Sequence, residues 1–570
     1  MDGNLGNGNT AEGLNALASL NGGFNNTAMG NGALFKNRDG GSNTATGSAA
    51  LNLNVSGFSN TADGFAALSS NTGSFNTASG SLALSSNTTA SNNTAVGYQA
   101  LKSNTTGPFN TAVGESALAS NTSGDRNTAV GDGAMIVSST GFQNTAVGVS
   151  ALRNNTTGSA NVAVGQDACN NNGAAMDNTG VGYQALLHNH VNGSTAFGFQ
   201  ALLNNTTGSS NTAIGAAALV TNTTGDQNTA IGSQAMFSNT TGFDNTATGV
   251  AALEINTTGS QNTATGFDAL ASNSTGNNNT ANGFNTLSNN RNGANNTGSG
   301  SAALTSNSTG NNNTANGAFA LELNSTGNAN TADGQSALGN STTGGNNTAA
   351  GTNALANNTI GSNNIALGSS AGINLTSGSN NIDIGAPGAA GEAAKIRIGK
   401  QGTQNGTFIA GISGVAVSGA QVVVNASGKL GVAASSARFK EAVKPMDKSS
   451  ESILALKPVT FRYKQELDPD GIPQFGLVAE EVEKVNPDLV VRDEEGKPYT
   501  VRYEAVNAML LNEFLNEHRT VAELKDLTQT QQAMIAQQQK QIEALTAGLQ
   551  NVRAQVEMSR PAPQVVSNRQ

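Results

Sequence analysis

"NTAVGYQALKSNTTGPF", residues 93–109, is one copy of a unit that fills most of the chain and decides its fold. Its opening tripeptide, NTA or a close variant, begins 23 units between Asn9 and Asn381. The spacing is 17 residues, except for two 16-residue spacings at 60–76 and 178–194. A fixed period of this length is typical of a solenoid, in which each unit forms one coil stacked on the next.

Comparing the units assigns a role to each position, counted from the first Asn. Position 3 is nearly always Ala, which predicts tight packing against a neighbouring backbone. Position 4 varies from Val113 to Asp63, so we expect it to lie at least partly in solvent, because burying a carboxylate is costly. Position 5 is almost always Gly, which indicates a bend or a close approach. Position 9 is almost always Leu and predicts the core column; Cys169 occupies it in one unit and should be a buried packing residue.

The second half of each unit predicts a turn. In the NTTG segment, positions 12–15, Asn tolerates the left-handed conformation, Thr can cap and Gly supplies a positive φ. The preceding ALxxN segment predicts either a helical turn or a third side of the coil. Stacked Asn and Thr side chains are expected to form ladders, each bonding to its copies above and below.

A single coil is too weak to fold alone. It buries about one Leu, which contributes roughly 1.5–3 kcal/mol, and two Ala. Ordering each backbone residue costs roughly 1–2 kcal/mol, which over one unit is far larger. Coils must therefore stack, and we expect a further face to be buried in an oligomer. At about 4.7–4.9 Å per coil, the stack would form a rod on the order of 110 Å long.

Composition excludes several classes of protein. Up to residue 386 there are 6 Lys and Arg against 16 Asp and Glu, and the remainder holds 21 of each. With no basic stripe, nucleic acid is not an expected ligand. The sequence contains no run of 18 apolar residues, so no membrane span is predicted. Its single cysteine excludes an internal disulfide framework.

No cofactor or metal site is expected from the pattern. His188 and His190 lie in an irregular unit without a Cys or carboxylate cluster nearby. The start of the chain lacks the basic and apolar segments of a secretory signal and opens directly inside the repeat, so an export segment or N-terminal cap could precede it.

Charged residues and Pro become frequent after residue 386. We divide the chain into a repeat shaft at 1–385, a β-rich transition at 386–434, an α+β domain at 435–515, a coiled coil at 516–558 and a disordered tail at 559–570. In the transition, short strands are predicted at KIRIG, TFIAGISGVAVSG and QVVVNASGKLGV.

The α+β domain has a mixed pattern. A helix is expected over 450–456 and a strand at PVTFRYK, whereas QFGLVAEEVEKVNPDLVV predicts strand, short helix and strand. EEGKPYTVRYEAV predicts a hairpin turn, a strand and the start of a long helix.

The last helix carries a heptad pattern with unbroken 3,4 spacing, which predicts a coiled coil. The seam comprises Val521, Leu524, Thr528, Gln531, Ile535, Gln538, Ile542, Leu545, Leu549, Val552 and Val556. The alternative is an amphipathic helix packed on its own domain, but little globular core remains for it to cover.

Two segments resemble known families. The NTAVG core with its following turn resembles the repeats of trimeric autotransporter adhesin heads (YadA-type), which implies a β-roll in a trimer; the unit here is longer than in those heads. The stretch from Ser435 resembles the C-terminal intramolecular chaperone auto-processing domain of phage endosialidases, tailspikes and tail fibres. Ser435, Arg438 and Lys440 match its motif, whereas Ser436 stands where the family pattern has Asp.

Two later segments carry the same resemblance, FGLVAEEV at 475–482 and VRYEAVNAML at 501–510. It implies that Ser435 is a nucleophile, that Lys440 is its general base, and that the chain cuts itself between Ala434 and Ser435. A serine hydroxyl needs a base, and a lysine amine serves when burial or neighbouring charge keeps it neutral. The alternative is that Ser435 caps a helix and that Lys440 is a surface lysine.

The sequence therefore predicts a mainly β, homotrimeric surface or tail-fibre-like protein, located on a virion tail or a bacterial surface. It would comprise a β-solenoid shaft, a self-cleaving α+β chaperone and a trimeric coiled coil. An uncleaved bacterial adhesin that binds glycan or a host receptor along the shaft is the main alternative. Ice binding would need a flat face of two Thr columns, whereas NTA supplies one, and a glycosidase would need a pair of acids that is not visible.

Overall fold

A computed structural model of the chain describes residues 3–404, 406–412, 417–425, 427–493 and 495–561. These residues form two compact units, the first ending at Thr407 and the second beginning at Phe408. The first unit is a β-solenoid that follows the 17-residue repeat. The second is a small α+β region with a long C-terminal helix.

Each coil contributes one three-residue strand at positions 2–4, and strands of successive coils pair in parallel with identical positions opposite each other, as Thr94 is to Thr111. β1, Gly3–Asn4, pairs antiparallel with β2. The strands β2 to β25 are Thr10–Glu12, Thr27–Met29, Thr44–Thr46, Thr61–Asp63, Thr77–Ser79, Thr94–Val96, Thr111–Val113, Thr128–Val130, Thr145–Val147, Val162–Val164, Thr179–Val181, Thr195–Phe197, Thr212–Ile214, Thr229–Ile231, Thr246–Thr248, Thr263–Thr265, Thr280–Asn282, Thr297–Ser299, Thr314–Asn316, Thr331–Asp333, Thr348–Ala350, Ile365–Leu367, Ile382–Ile384 and Ile396–Ile398.

The core of the solenoid matches the predicted positions. In the coil quoted above, Ala95, Ala100 and Leu101 are fully buried, and the same three positions are buried in nearly every coil. Position 4 is half-buried or exposed throughout β2 to β24, which confirms its predicted place at the solvent. Cys169 is buried in the Leu column, and burial raises the pKa of its thiol to about 12, so it is a packing residue.

Two ladders of buried Asn side chains run along the solenoid. At position 1, the backbone N–H and Nδ2 of Asn245 both donate to Oδ1 of Asn228, each at 3.1 Å. At position 12, Nδ2 of Asn239 donates to Oδ1 of Asn222 at 2.7 Å. The predicted Asn ladder is confirmed, but the Thr prediction was wrong in detail, because Thr223 Oγ1 donates to a backbone carbonyl in the next coil, 3.0 Å away.

The turn at positions 12–15 is built differently from the prediction. The Asn is a ladder residue rather than a left-handed one, and the Gly has no positive φ. A Cβ on Gly225 would lie 2.2 Å from the carbonyl oxygen of Gly242, so the next coil approaches this position closely, although Ala90 and Ala175 occupy it in two other coils. Left-handed residues lie instead at positions 7, 9 and 17, as at Ala217 (φ 56°), Leu219 (φ 52°) and Gln227 (φ 56°). The ALxxN segment is consequently an irregular turn rather than a helical one.

The last full coil carries a buried acid. Asp383 stands at position 3, where nearly every other coil has Ala, and it is fully buried with no hydrogen-bond partner for either carboxylate oxygen. Burial, with a smaller contribution from Glu392, raises the pKa of this carboxyl to about 6, and nearby Arg397 opposes the rise. Arg397 is itself paired with Glu392, with 2.6 Å between Nη2 and Oε2.

Asp383→Asn should remove a pH dependence from the end of the solenoid. The folded-state pKa of about 6 exceeds the ordinary value of 3.8, so wild-type stability should fall as pH rises from about 4 to 6 and stay low above that. The difference between these two pKa values corresponds to roughly 3 kcal/mol in the free energy of unfolding. Amide exchange of Ile382–Ile384, corrected for intrinsic rates, measures it between pH 4.5 and 7.5. Asp333→Asn, at an exposed position 4, is the control; equal pH dependence in Asp383→Asn and wild type would contradict the prediction.

The second unit begins with a hairpin and then builds a small mixed layer. Its strands are β26 Val422–Val424, β27 Leu430–Val432, β28 Val459–Phe461, β29 Gln474–Gly476, β30 Val490–Arg492 and β31 Pro498–Val501. Its 3-10 helices are Ala437–Phe439, Asp447–Ala455 and Pro487–Leu489, and its α-helices are α1 Ala479–Val485 and α2 Tyr503–Met558. The small core comprises Ile453, Val482, Leu489, Val490, Val501 and Met509.

Most of the predicted elements of this unit are present. The helix expected over 450–456 is a 3-10 helix that starts three residues earlier. The strands predicted for TFIAGISGVAVSG are absent from its described residues 407–412 and 417–419, so that prediction was wrong there, and its residues 413–416 lie outside the described part. Residues 559–561 follow the end of α2, and the rest of the predicted disordered tail, 562–570, also lies outside the described residues.

Candidate processing site and assembly seam

The candidate dyad lies on either side of one 3-10 turn. Ser436 is the N-cap residue of the 3-10 helix Ala437–Phe439, and its side chain makes no capping hydrogen bond. Ser435 directly precedes it. Lys440 ends the turn, and its backbone N–H donates to the carbonyl of Ala437 at 3.1 Å. This single turn keeps the two residues near each other in the chain without fixing their side chains.

All residues from 431 to 440 are exposed, which includes Ala434 and the predicted cleavage bond. Among the described residues, no hydrogen bond or ion pair joins the Ser435 and Lys440 side chains to each other or to another group. Arg438, the third motif residue, lies over the ring of Phe439, with its guanidinium carbon 4.6 Å from the ring centroid. A single chain therefore presents the motif but does not assemble a dyad.

The first regular element after the motif is the 3-10 helix Asp447–Ala455. Ser450 in this helix is fully buried and donates to Oε1 of Glu513 on α2, at 2.5 Å. Nδ2 of Asn512 donates both to Ser450 Oγ, at 2.7 Å, and to the carbonyl of Asp447, at 3.1 Å. No pattern in the sequence pointed to this cluster, because its members lie more than 60 residues apart.

One cleft of this unit has no motif residue in its lining. It has a volume of about 210 Å³ and lies between the 3-10 helix Asp447–Ala455 and α1. Its rim carries the exposed ion pair of Glu481 with Lys484, at 2.6 Å. Neither Ser435 nor Lys440 lines it, so it offers no substrate pocket to the candidate dyad.

The heptad seam of α2 is uncovered in one chain. The apolar seam residues from Val521 to Val556 are 42–69% exposed. The same heptad line continues backwards through Glu517 to Phe514 and Leu510, which are 63% and 57% exposed. The core contacts a different side of the helix, through Met509. Exposed apolar residues thus precede the predicted seam, separated from it by Glu517, and none of them belongs to the small core of the described residues.

Residues 435–491 match the family model described as chaperone of endosialidase. The matched segment, named here the chaperone region, starts at Ser435 and ends within β30. This supports the C-terminal half of the resemblance drawn from the sequence. No match covers the repeats, so the resemblance to YadA-type heads is not shown. No curated protein and no solved structure matches the chain.

The described residues contain no group of three or more His, Cys, Asp or Glu side chains placed to hold a metal ion. A search of the described helices for a long apolar stretch that could cross a membrane also finds none.

Proposed function

We propose that this chain forms a homotrimeric, tail-fibre-like protein whose chaperone region directs assembly and then removes itself. The observation that carries the proposal is the position of the family match, which begins at Ser435, downstream of a solenoid of 23 coils. A chaperone region of this kind after a long β-shaft fits a fibre displayed on a virion or a cell surface.

Exposed apolar surface in the helix supports self-association. The seam of α2 presents apolar side chains over several heptads, and such a surface on a soluble chain indicates a partner. A second copy supplies the same 3,4 spacing in register, so α2 would pair with its own copies. Polar Thr528, Gln531 and Gln538 within the seam would set the register at some cost in stability.

The shaft carries a matching apolar strip. In nine consecutive coils, position 4 holds an uncharged apolar residue on the outer face of the strands: Val96, Val113, Val130, Val147, Val164, Val181, Phe197, Ile214 and Ile231. Before and after this strip, position 4 includes Glu12, Asp63 and Asp333. An apolar strip with the regular coil spacing is matched in register by the same strip of another copy. Alignment by the C-terminal helices would prevent slippage between otherwise identical coils.

The proposed cleavage uses the motif residues in a balanced sequence. Lys440, with its amine neutral, takes the proton of the Ser435 hydroxyl while Oγ attacks the Ala434 carbonyl carbon. The carbon–nitrogen bond breaks, and the proton passes to the leaving amine of Ser435. Water then hydrolyses the ester between Ala434 and Ser435 Oγ, which restores the hydroxyl and releases 136 residues (570 − 434).

Conditional cleavage follows from the exposure of the motif in one chain. Water competes with an exposed lysine and serine, so the dyad needs neighbouring chains to bury and order it. Cleavage would then report completed assembly, and loss of the chaperone region would leave the shaft kinetically trapped.

Intact and native mass spectrometry test the proposal. Wild type should give fragments of residues 1–434 and 435–570, whereas Ser435→Ala and Lys440→Ala should each stay uncut as a trimer. Ser436→Ala is the matched control and should still be cut. An uncut wild-type trimer would remove the self-cleavage, and a monomer of the full chain would remove the assembly role as well.

A second candidate is an uncleaved adhesin that binds glycan or a receptor along the shaft. Exposed aromatic side chains at position 6 favour it, because Tyr183 stacks on Phe199 with ring centroids 5.5 Å apart, and Phe267 stacks on Phe284 at 5.6 Å. Binding of the full chain to a glycan array, lost in Tyr183→Ala with Phe199→Ala, would support this candidate. Equal binding by the double variant would remove it.

A further inference from the structure

Ser450 is the only buried polar side chain among the described residues of the second unit. Its hydroxyl joins the 3-10 helix Asp447–Ala455 to α2 through Glu513 and Asn512, at 2.5 and 2.7 Å. We call these three side chains the tether. A hydrogen bond to a carboxylate is short and directional, so the tether fixes the 3-10 helix at one point along α2.

The α2 end of the tether lies next to the assembly seam. Asn512 and Glu513 directly precede Phe514, whose exposed ring lies on the heptad line that runs from Leu510 to Val521. When copies associate along this line, the tether residues occupy the flank of the interface. A shift or twist of α2 on association would pass through them to the 3-10 helix.

The other end of the tether leads to the processing motif. Residues 441–446 between Lys440 and the 3-10 helix form no regular element, and Met446 is the first of them to pack on the small core. Ser450 is ten residues beyond Lys440, and among the described residues the hydrogen bonds and ring contact of segment 434–440 stay within the segment. On its N-terminal side the segment follows the hairpin strand that ends at Val432, and on its C-terminal side it joins the rest of the unit through the tethered helix.

We propose that Ser450, Glu513 and Asn512 are positioning residues, which make cleavage at Ala434–Ser435 depend on the assembled state of α2. This inference rests on the proposed function and assigns its coupling to named side chains outside the dyad. It also gives a role to the Ser450 hydroxyl, which is fully buried where the 3-10 helix meets α2.

The test compares the rate of self-cleavage in full-length Ser450→Ala, Glu513→Ala and the control Ser449→Ala, whose side chain is exposed. We expect Ser450→Ala and Glu513→Ala to be cut at least tenfold more slowly while native mass still shows trimers. Glu513→Gln keeps an acceptor oxygen for the Ser450 hydroxyl and should recover most of the rate. Cleavage of Ser450→Ala at the wild-type rate would overturn the proposal.

Two further outcomes keep this inference separate from the proposed function. If wild type itself stays uncut, self-cleavage fails, and amide exchange alone tests the tether. Unchanged exchange over 441–455 in Ser450→Ala then overturns the positioning role of the tether. Faster exchange there with intact trimers supports that role. If Ser450→Ala and Glu513→Gln both lose the trimer, the tether is an assembly contact, and its positioning role is overturned.

Discussion

Gly215→Ala is expected to break the solenoid between its coil and the next. Gly215 stands at position 5 with φ 137°, and a Cβ there would lie 2.3 Å from the carbonyl oxygen of Gly232 in the following coil. Atoms in contact stay roughly 3.5 Å apart, so one backbone must move. Movement would disrupt the ladder bond from Gly232 N–H to the Ile214 carbonyl, which is 2.7 Å long. We expect a local cost above about 4 kcal/mol.

Limited proteolysis and amide exchange of the full chain measure this break. Coils on both sides of Gly215 should exchange faster and become cleavable, while distant coils stay protected, because each coil contacts only its neighbours. Gly133→Ala is the matched control. Gly133 also has a positive φ, of 61°, but its nearest atom is 3.7 Å from a built Cβ, and Ala217 occupies the same position at φ 56°. Equal protection in wild type and Gly215→Ala would contradict the steric explanation.

The sequence was sufficient to predict the inward and outward sides of each coil. Position 4 accepts Asp63 as readily as Val113, and a residue that tolerates both must reach solvent, as the structure confirms. The nearly constant Gly at position 5 likewise predicted a close approach. These inferences succeeded because each repeat is an independent sample of one environment.

The backbone conformation of the turn could not be predicted in the same way. Leu219 adopts φ 52°, which costs roughly 1–2 kcal/mol for an L-residue, and nothing in a Leu column suggests it. The strain is tolerated because the next coil binds this backbone, with the Leu219 N–H donating to the Ala235 carbonyl at 3.0 Å. This hydrogen bond between coils offsets the backbone strain, and it cannot be inferred from the sequence of a single unit.

Pairs of coils also compensate for a changed side chain, which can be recognised only after the structure is known. Gly180 replaces Ala at position 3, and a Cβ there would lie 2.5 Å from the Cys169 sulfur of the preceding coil. Gly298 replaces the same Ala beside Thr286, whose Cγ2 would be 2.6 Å away. Each glycine makes room for one unusual neighbour, so these departures from the repeat preserve packing.

The candidate site was predictable only as a motif. Ser435 and Lys440 could be named by resemblance, since their spacing is local. Ser450 and Glu513 could not be found, because a hydrogen bond between residues 63 positions apart leaves no periodic trace. The proposed chemistry is therefore local in the sequence, whereas the contact that would regulate it is not.

Asn228→Asp should destabilise the shaft strongly at neutral pH and much less in acid. Asn228 is fully buried, and its Oδ1 accepts two bonds from Asn245 while Nδ2 donates to the Gly242 carbonyl at 2.8 Å. A carboxylate would set an oxygen against that carbonyl and bury an unpaired charge. We expect a cost of about 3–5 kcal/mol. Protonation restores a donor, so the folded-state pKa of the new acid must rise, and the lost stability should return as pH falls through that value.

Amide exchange across coils 211–261 at pH 7.5 and 4.5, corrected for intrinsic rates, separates this charge effect from a loss of packing. Asn311→Asp is the matched control, because Asn311 is only half-buried at position 16, and its Oδ1 accepts from the Ala294 N–H as Asp226 Oδ1 naturally accepts from the Ser209 N–H in another coil. Asn228→Ser introduces the residue that occurs naturally at position 1 as Ser194. Because this side chain is small and neutral, the variant should lose less stability than Asn228→Asp at neutral pH. Its stability should not recover in acid. If Asn228→Asp were equally disruptive at both pH values, the amide would matter for shape alone. A recovery confined to Asn228→Asp would instead show that the ladder selects a neutral donor, which is the property that lets identical short coils stack without burying charge.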